Sequence, residues 1–460
     1  MGLADRALPG ARGTRRRWGP YADGELRRRG STDDQAGPVA AGGTTRRAPV
    51  QVRTNVVRRD RHQPDWSILV AVVALAAIGI LMVYSSSAMH SYVQSDNTLA
   101  IVGPQILWAG LGMIAMLITM RIDYRILRFV SLPAYLGAAV LLVLVFVPGL
   151  GVSVGGSARW LAIGPLPAIH PAEIAKLGLV IYLAHWMSSR GTRIAGIRSG
   201  TLPFLLIVLP IIALVFKEPD LGTTLVITGT AFTMFFIAGA RLWQFGAMGI
   251  LGLLTMIVVG LQSYQIERIR TFLNPWLDEL GTGFHTIQGL LALGLGGVLG
   301  AGLGESKLAG GLYLPNAWND FIFAIIGEEF GLVGAATVVI LFAVIAYGGI
   351  RTAMRAPDSF GALLATGITA WLCIQAFINM GVVVVLVPVT GITLPFISAG
   401  GSSLIFSFAA VGILVSISRE TVERPAQEPD ATADRGRGDR GAHLPGTRRR
   451  GRPSPPAEPA

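Results

Sequence analysis

The sequence predicts an all-α polytopic membrane protein, with ten transmembrane helices and one long extracytoplasmic loop between helices 7 and 8. Three observations carry that prediction. Of the 460 residues 52% are hydrophobic and only 14% charged, a balance that a water-soluble domain of this length does not show. The apolar residues gather in runs at 67–90, 100–120, 129–148, 172–189, 199–216, 221–240, 242–262, 321–349, 360–387 and 402–418. Most can cross a hydrocarbon core of about 30 Å, which takes about 20 residues. Finally, the charges between the runs are sorted by sign.

If the Arg-rich N-terminus is inside, the inner loops carry Arg121, Arg125, Arg128, Arg190, Arg193, Arg198, Arg241, Arg351 and Arg355, against Asp123 and Asp358 as acids. The outer loops and helix ends then hold nearly every other acid of the membrane domain. This is the positive-inside bias, and it puts both termini in the cytoplasm. An even number of spans agrees with it. Flanking the membrane domain at 65–420 are a tail at 1–64 and another at 421–460, rich in Arg, Gly, Pro and Asp. Such segments cannot bury enough apolar surface to order themselves. Most of the net charge of +11 lies in these tails. Arg15–Arg17 and Arg27–Arg29 therefore suit anionic lipid at the cytoplasmic face, and nucleic acid is not an expected partner. The first 66 residues contain no apolar segment of the kind a cleaved signal peptide needs. Cys373 is the single cysteine, which excludes an intramolecular disulfide and a four-cysteine zinc site.

The loop at 263–320 separates the seventh run from the eighth. Eleven glycines fall within 281–311, which suggests short helices in the outer interface with close backbone approach. Loops of this length in compact proteins are usually functional. It ends on Asp320, at the mouth of the eighth run. On position alone, Asp320 could cap the helix or do chemistry. Glu328 and Glu329 lie about 12–14 Å deeper, where a carboxylate must be paired, protonated or facing a wet cavity. Helical spacing separates them, so one is expected to face a cavity and the other a helix partner.

Other polar groups converge on the outer side. Residues 155–177 supply Arg159, His170, Glu173 and Lys176, the last three at helix-face spacing. Around a Pro-bounded turn sit Lys217, Glu218 and Asp220, and the broken stretch 387–404 supplies Thr390, Ser398, Ser402 and Ser403. All three lysines of the chain, Lys176, Lys217 and Lys307, sort to this side. A compact ammonium suits a phosphate or carboxylate approached as a point charge. Broken backbone at membrane depth survives only where protein buries it or it lines a cavity, so several breaks on one side imply one shared cavity.

The ordered set ARWLxIGP, PAEIAKL, EPDLGT, RIRTFLNPWLD, GLGxS, LPNAWNDFIFAIIGEEFG and PVTGITLPFISAGGSS resembles the shape, elongation, division and sporulation (SEDS) family of FtsW, RodA and SpoVE, over roughly 65–420. RIRTFLNPW and GLGES resemble the division branch, that of FtsW. The resemblance implies a peptidoglycan glycosyltransferase that polymerises lipid II at the outer face of a bacterial plasma membrane. It would work with a class B penicillin-binding protein and other division-machinery membrane proteins, most naturally at the septum. By motif position the residue needed for polymerisation falls on Asp320. Three positions depart from the family pattern: Asn316 where Glu is frequent, His170 where Gln is usual, and Ala399 where Tyr often precedes the double glycine.

Glycosyl transfer from a lipid diphosphate needs a base near the acceptor hydroxyl and cations near the leaving diphosphate. Asp320 is the expected base. The expected substrate-binding set is Arg159, Glu173, Lys176, Lys217, Asp220, Arg268, Arg270, Lys307, Glu328, Ser402 and Ser403. No metal site is expected from the residues; a divalent cation, Mg²⁺ or Mn²⁺, could stand in for some of the cations, although no loop carries a clear signature for it. Two rival readings remain open. A lipid II flippase or transporter would also combine many helices with intramembrane acids, but 67–240 and 242–418 show no clear internal repeat. A non-catalytic scaffold of the division machinery would tolerate neutralisation of Asp320.

Overall fold

The computed structural model describes residues 63–154, 157–162, 168–259, 263–315 and 317–420. The expected tails, with Arg15–Arg17 and Arg27–Arg29, lie outside the described residues, and so does Asn316. In chain order the helices are α1 (Trp66–Ser95), α2 (Val102–Arg121), α3 (Leu127–Leu144), α4 (Pro171–Arg190), α5 (Leu202–Lys217), α6 (Leu221–Ile237) and α7 (Leu242–Val259). After these come the short α8 (Ser263–Leu273), α9 (Phe284–Gly296) and α10 (Lys307–Gly310), then α11 (Ile322–Arg355), α12 (Ser359–Val383) and α13 (Gly401–Ser418). The ten longer helices fall on the ten apolar runs. Seven of them, α1, α2, α3, α5, α11, α12 and α13, are long and apolar enough to cross a membrane. Helix α4 carries Glu173, Lys176 and Arg190, and α6 has only 17 residues, so ten crossings remain the expectation of the sequence.

The all-α expectation needs one amendment. Residues Gly151–Val154 (β1) and Ser157–Leu161 (β2) form an antiparallel hairpin that pairs Gly151 with Leu161 and Val152 with Trp160. Leu161 also bridges Ile169, which fixes the end of the hairpin beside the start of α4.

Helix ends follow the local chemistry. Asp65 accepts from the Ser67 N–H to cap α1, Asp220 from Thr223 at 3.0 Å to cap α6, and Asp358 from Gly361 at 2.7 Å to cap α12. Pro171 opens α4, where a missing N–H costs nothing. Packing then orders the bundle around α12 and α13. In α13, 83% of the apolar window is buried, against 17% for the window of α3, so α13 is core and α3 faces outward. Helix α2 packs on α13 through Gly112, which receives the Phe408 ring, and through Thr119, whose hydroxyl donates to the Ala409 carbonyl at 3.0 Å.

Loops that the charge pattern assigned to the inside meet at one end of the bundle. There Arg128 pairs with Asp358 at 2.7 Å and Arg125 with Glu420 at 2.9 Å. The hairpin, the α5–α6 turn, the loop before α11 and the α12–α13 segment meet at the other.

The Asp320 end is built around a break in α11. Gly331 has φ 65° and ψ −159°, which interrupts the helix. A regular helix would pair Glu328 O with Leu332 N–H and Glu329 O with Val333 N–H. The Gly-rich loop after α9 takes up all four groups instead. Ala301 and Gly302 donate to Glu328 O and Glu329 O at 2.9 and 3.0 Å, and Leu332 and Val333 donate to Gly297 O and Val298 O at 2.9 and 3.3 Å. These four groups are thereby kept from hydrocarbon, where an unpaired backbone group is costly. The glycines make this approach possible: a Cβ on Gly296 would lie 1.8 Å from Gly327 O, and one on Gly300 2.1 Å from Glu329 O. At φ 85° Gly300 also occupies backbone space that other residues avoid. Gly300→Ala should therefore destabilise the fold by about 2 kcal/mol or more, read as a lowered unfolding temperature in detergent. Gly294→Ala, where a Cβ meets nothing within 4 Å, should leave that temperature unchanged or slightly raised.

Candidate functional site

Two adjoining cavities open at the Asp320 end. One, of about 300 Å³, is polar and is lined by Arg159, Trp160, His170, Glu173, Lys176, Asp220, Thr223, Asn319, Asp320, Gln375, Thr393, Ala399, Ser402 and Ser403 among others. The second, of about 400 Å³, has Arg159, Glu267, Arg268, Thr271, Thr282 and Thr286 on one side and an apolar wall of Val382, Val385, Val387 and Val389 on the other. Arg159 lines both.

Asp320 does not cap α11. The N-cap is Phe321, and no side chain bonds the first turn there. The half-buried carboxyl faces the polar cavity instead, while its main chain is held from behind. Asn379, in α12, donates to both Asp320 O at 2.9 Å and Ile392 O at 2.8 Å, which ties the mouth of α11 to the α12–α13 segment. Burial pushes the Asp320 carboxyl above the usual carboxylate range; its own backbone N–H and the positive charge of His285 and Arg268 pull less strongly the other way. His285, in α9, stacks on the ring of Phe321 with centroids 5.9 Å apart.

The other two carboxylates of this cavity are already engaged. Glu173 binds Lys176 Nζ at 2.9 Å, and the same ammonium donates to Gln375 Oε1 at 2.7 Å and sits 5.1 Å from the centre of the Trp371 ring. Asp220 caps α6 and lies 3.7 Å from His170 Nε2. Burial lowers the His170 imidazole pKa despite the nearby Asp220. Ser402 accepts from the His170 N–H at 3.3 Å, and Thr393 donates to Ser403 at 3.3 Å, so both serines line the cavity as expected.

Among the cations, Arg159 is best placed. Its Nε donates to Glu218 O at 3.1 Å and its Nη2 to Pro219 O at 2.6 Å, which holds the guanidinium where the two cavities meet. Arg268 donates to Val389 O at 3.0 Å and lines the second cavity. Beneath Arg159 the Glu218 side chain is 1% exposed, and neither carboxyl oxygen has a hydrogen-bond partner among the described residues.

Four expected binding residues are not brought to either cavity. Lys217 is exposed and rests 5.1 Å over the Phe146 ring. Arg270 is exposed. Lys307 contributes its backbone N–H to Glu328 at 2.8 Å while its side chain stays exposed. The Glu328 carboxylate also accepts from Ser306 Oγ at 2.6 Å, so it clamps the loop at α10. Glu329 accepts from Ser85 of α1, and neither of these acids lines either of the two cavities. Conversely Gln375, Asn379 and His285 escaped the sequence reading. For the two amides a signal existed, since Gln375 and Asn379 stand four residues apart within an apolar run, where polar groups are rarely idle.

A sequence model of the family described as "Cell cycle protein", of FtsW, RodA and SpoVE, matches residues 65–423. Stage V sporulation protein E of Bacillus subtilis is 43% identical, over 78% of this chain and 98% of its own length. A probable peptidoglycan glycosyltransferase FtsW of Geobacter metallireducens is 41% identical, over 77% of this chain and 94% of its own. Among solved structures, the chain resembles one from a study of the coordination of polymerization and crosslinking by a peptidoglycan synthase complex, with a TM-score of 0.64 and 29% identity over 78% of this chain and 99% of that one. The rod shape determining protein RodA of Thermus thermophilus aligns with a TM-score of 0.57 and 26% identity, over 78% of this chain and 98% of its own.

The raised Asp320 pKa has a consequence for stability. A carboxyl whose folded-state pKa lies above its unfolded value stabilises the fold only while protonated, and that contribution is lost as the pH rises through the folded value. Asp320→Asn removes the charge without changing shape. It should therefore unfold at a higher temperature than the wild type at about pH 8, with the gap closing towards about pH 4, where the unfolded carboxyl also protonates. A lower unfolding temperature for the variant at about pH 8 would mean that the carboxylate is a structural anion.

Proposed function

Because the chain belongs to the family of cell cycle proteins that includes FtsW, RodA and SpoVE, we propose that it is a peptidoglycan glycosyltransferase that polymerises lipid II into glycan strands at the outer face of the plasma membrane. The observation that carries this reading is the state of the carboxylates in the polar cavity: Glu173 and Asp220 are engaged by other residues, whereas the Asp320 carboxyl faces the cavity with only its own backbone N–H for a hydrogen-bond partner among the described residues. A base is useful when it is free to take a proton and its pKa has been lifted towards neutrality.

In the proposed reaction a sugar hydroxyl of the acceptor attacks the anomeric carbon of a sugar carried on a lipid diphosphate. The bond from that carbon to the diphosphate oxygen breaks, the lipid diphosphate leaves with the electron pair, and the hydroxyl proton passes to Asp320. Arg159 is placed to receive the charge that develops on the leaving group, with Arg268 next to it along the second cavity. Lys176 contributes less directly, since Glu173 and Gln375 occupy it. Lys217, Arg270 and Lys307 take no part in this scheme. Nor is any step assigned to a divalent cation: among the described residues no group of three or more His, Cys, Asp or Glu could hold one, and Asp320 is the one carboxylate of the cavity not already bound.

The resemblance to a chain of a peptidoglycan synthase complex supports a class B penicillin-binding protein as the partner. The likeness to FtsW relatives supports action at the division septum with other division-machinery proteins. A flippase is less well supported, because the polar groups gather at one end of the bundle and not at its middle.

Purified protein with its cognate transpeptidase, supplied with labelled lipid II in detergent, tests the reading. The wild type should form glycan chains, and Asp320→Asn should lower the rate by at least about a hundredfold while remaining folded. Near wild-type polymerisation by that variant would remove Asp320 from catalysis. A wild type that makes no glycan but moves lipid II across vesicles would establish the flippase.

A further inference from the structure

Every acid near the two cavities has a hydrogen-bond role or a view of the cavity, except Glu218. It lines neither cavity, it is buried, and its two carboxyl oxygens have no partner among the described residues. Yet it sits under the guanidinium that lines both.

We propose that Glu218 is a positioning residue for the diphosphate: an uncharged acid packed beneath Arg159, which leaves the guanidinium's charge uncancelled where the two cavities meet. The inference rests on the glycosyltransferase reading for the identity of the ligand, a lipid-linked diphosphate, but not for the behaviour of the acid.

Geometry carries the first part. Arg159 is fastened by main-chain carbonyls, Glu218 O and Pro219 O, at 3.1 and 2.6 Å. Neutral acceptors hold a guanidinium in place without reducing its net charge. No ion pair forms between Arg159 and the Glu218 carboxyl, although the two are close enough to influence each other's charge. A carboxylate in that position would have turned to the guanidinium, because a buried unpaired ion is far more costly than a buried acid.

The surroundings carry the second part. The charged groups that act on Glu218 are Asp220, from the same turn, and Arg159, from β2. Lys217 is adjacent in sequence but its ammonium lies over Phe146, and His170, at the start of α4, faces Asp220. Burial, followed by the negative charge of Asp220, pushes the Glu218 carboxyl up to about 8, against the opposing pull of Arg159. Near neutral pH the acid therefore keeps its proton. Above about 8 it ionises, pairs with Arg159, and withdraws from the cavities the charge that a diphosphate needs.

The test uses the full-length protein in detergent and a polyprenyl diphosphate that carries no sugar, so that binding is read without turnover. Across about pH 7 to 9.5 the wild type should lose about tenfold in affinity, and Glu218→Gln should bind about equally throughout. Arg159→Ala should bind weakly at every pH. The proposal is overturned if Glu218→Gln keeps the wild-type alkaline loss, or if wild-type binding does not change with pH. Should Glu218→Gln fail to fold, the infrared band of a protonated carboxyl can be followed in the Asp320→Asn background. Its disappearance across the same range supports the proposal, and the lack of any titrating band there overturns it. A wild type that binds with this profile but makes no glycan would refute the glycosyltransferase reading alone. One that makes glycan and binds without pH dependence would refute the role of Glu218 alone.

Discussion

A carboxylate placed where water is scarce must find a cation, collect hydrogen bonds or keep its proton. That constraint assigns the acids at the Asp320 end of the bundle to separate tasks. Glu173 takes the cation, Lys176. Glu328 takes hydrogen bonds, from a serine hydroxyl and the backbone of α10. Asp220 does some of each. Glu218 has neither kind of partner and Asp320 only its own backbone N–H, and burial raises both. They differ in where they point: Asp320 looks into the polar cavity, while Glu218 is shut away beneath Arg159.

The long helices were legible in the sequence because a continuous apolar run is a one-dimensional property. The gathering of loops at two ends was legible too, since alternate loops of an antiparallel bundle must share an end, and the sign of their charge tells the two ends apart. The same reasoning placed Arg159, Asp320, Ser402 and Ser403 around one cavity, where the structure has them. Asp320 stood out because a motif surrounds it and because it closes a loop far longer than a simple turn.

Partnership was not legible. Whether Glu328 meets a ligand or a loop depends on where Ser306 and Lys307 return after a long excursion, and spacing along α11 says nothing about that. Lys217 and Arg270 are near neighbours in sequence of cavity-lining residues, but both side chains are exposed. Asn379 and Gln375 belong to an apolar run whose burial was anticipated, yet their role is to hold the backbone of Asp320 and the ammonium of Lys176. Such roles depend on contacts between segments far apart in the chain. The hairpin at 151–161 was missed for a different reason: it is two short strands in a loop, with no long periodic pattern to announce it.

The interruption at Gly331 divides a 34-residue helix into a short upper rod and a long lower one. The loop that follows α9 grips both sides of the break, through the Glu328 and Glu329 carbonyls above and the Leu332 and Val333 N–H groups below, and beyond it the lower rod presents side chains such as Leu332, Val339, Ile340 and Tyr347 outward. Tilt imposed by a thicker or thinner bilayer falls on the part in contact with lipid. With the bend between the rods set by the loop that grips it, the lower rod can meet lipid at its own angle while the upper one keeps Asp320 at the cavity.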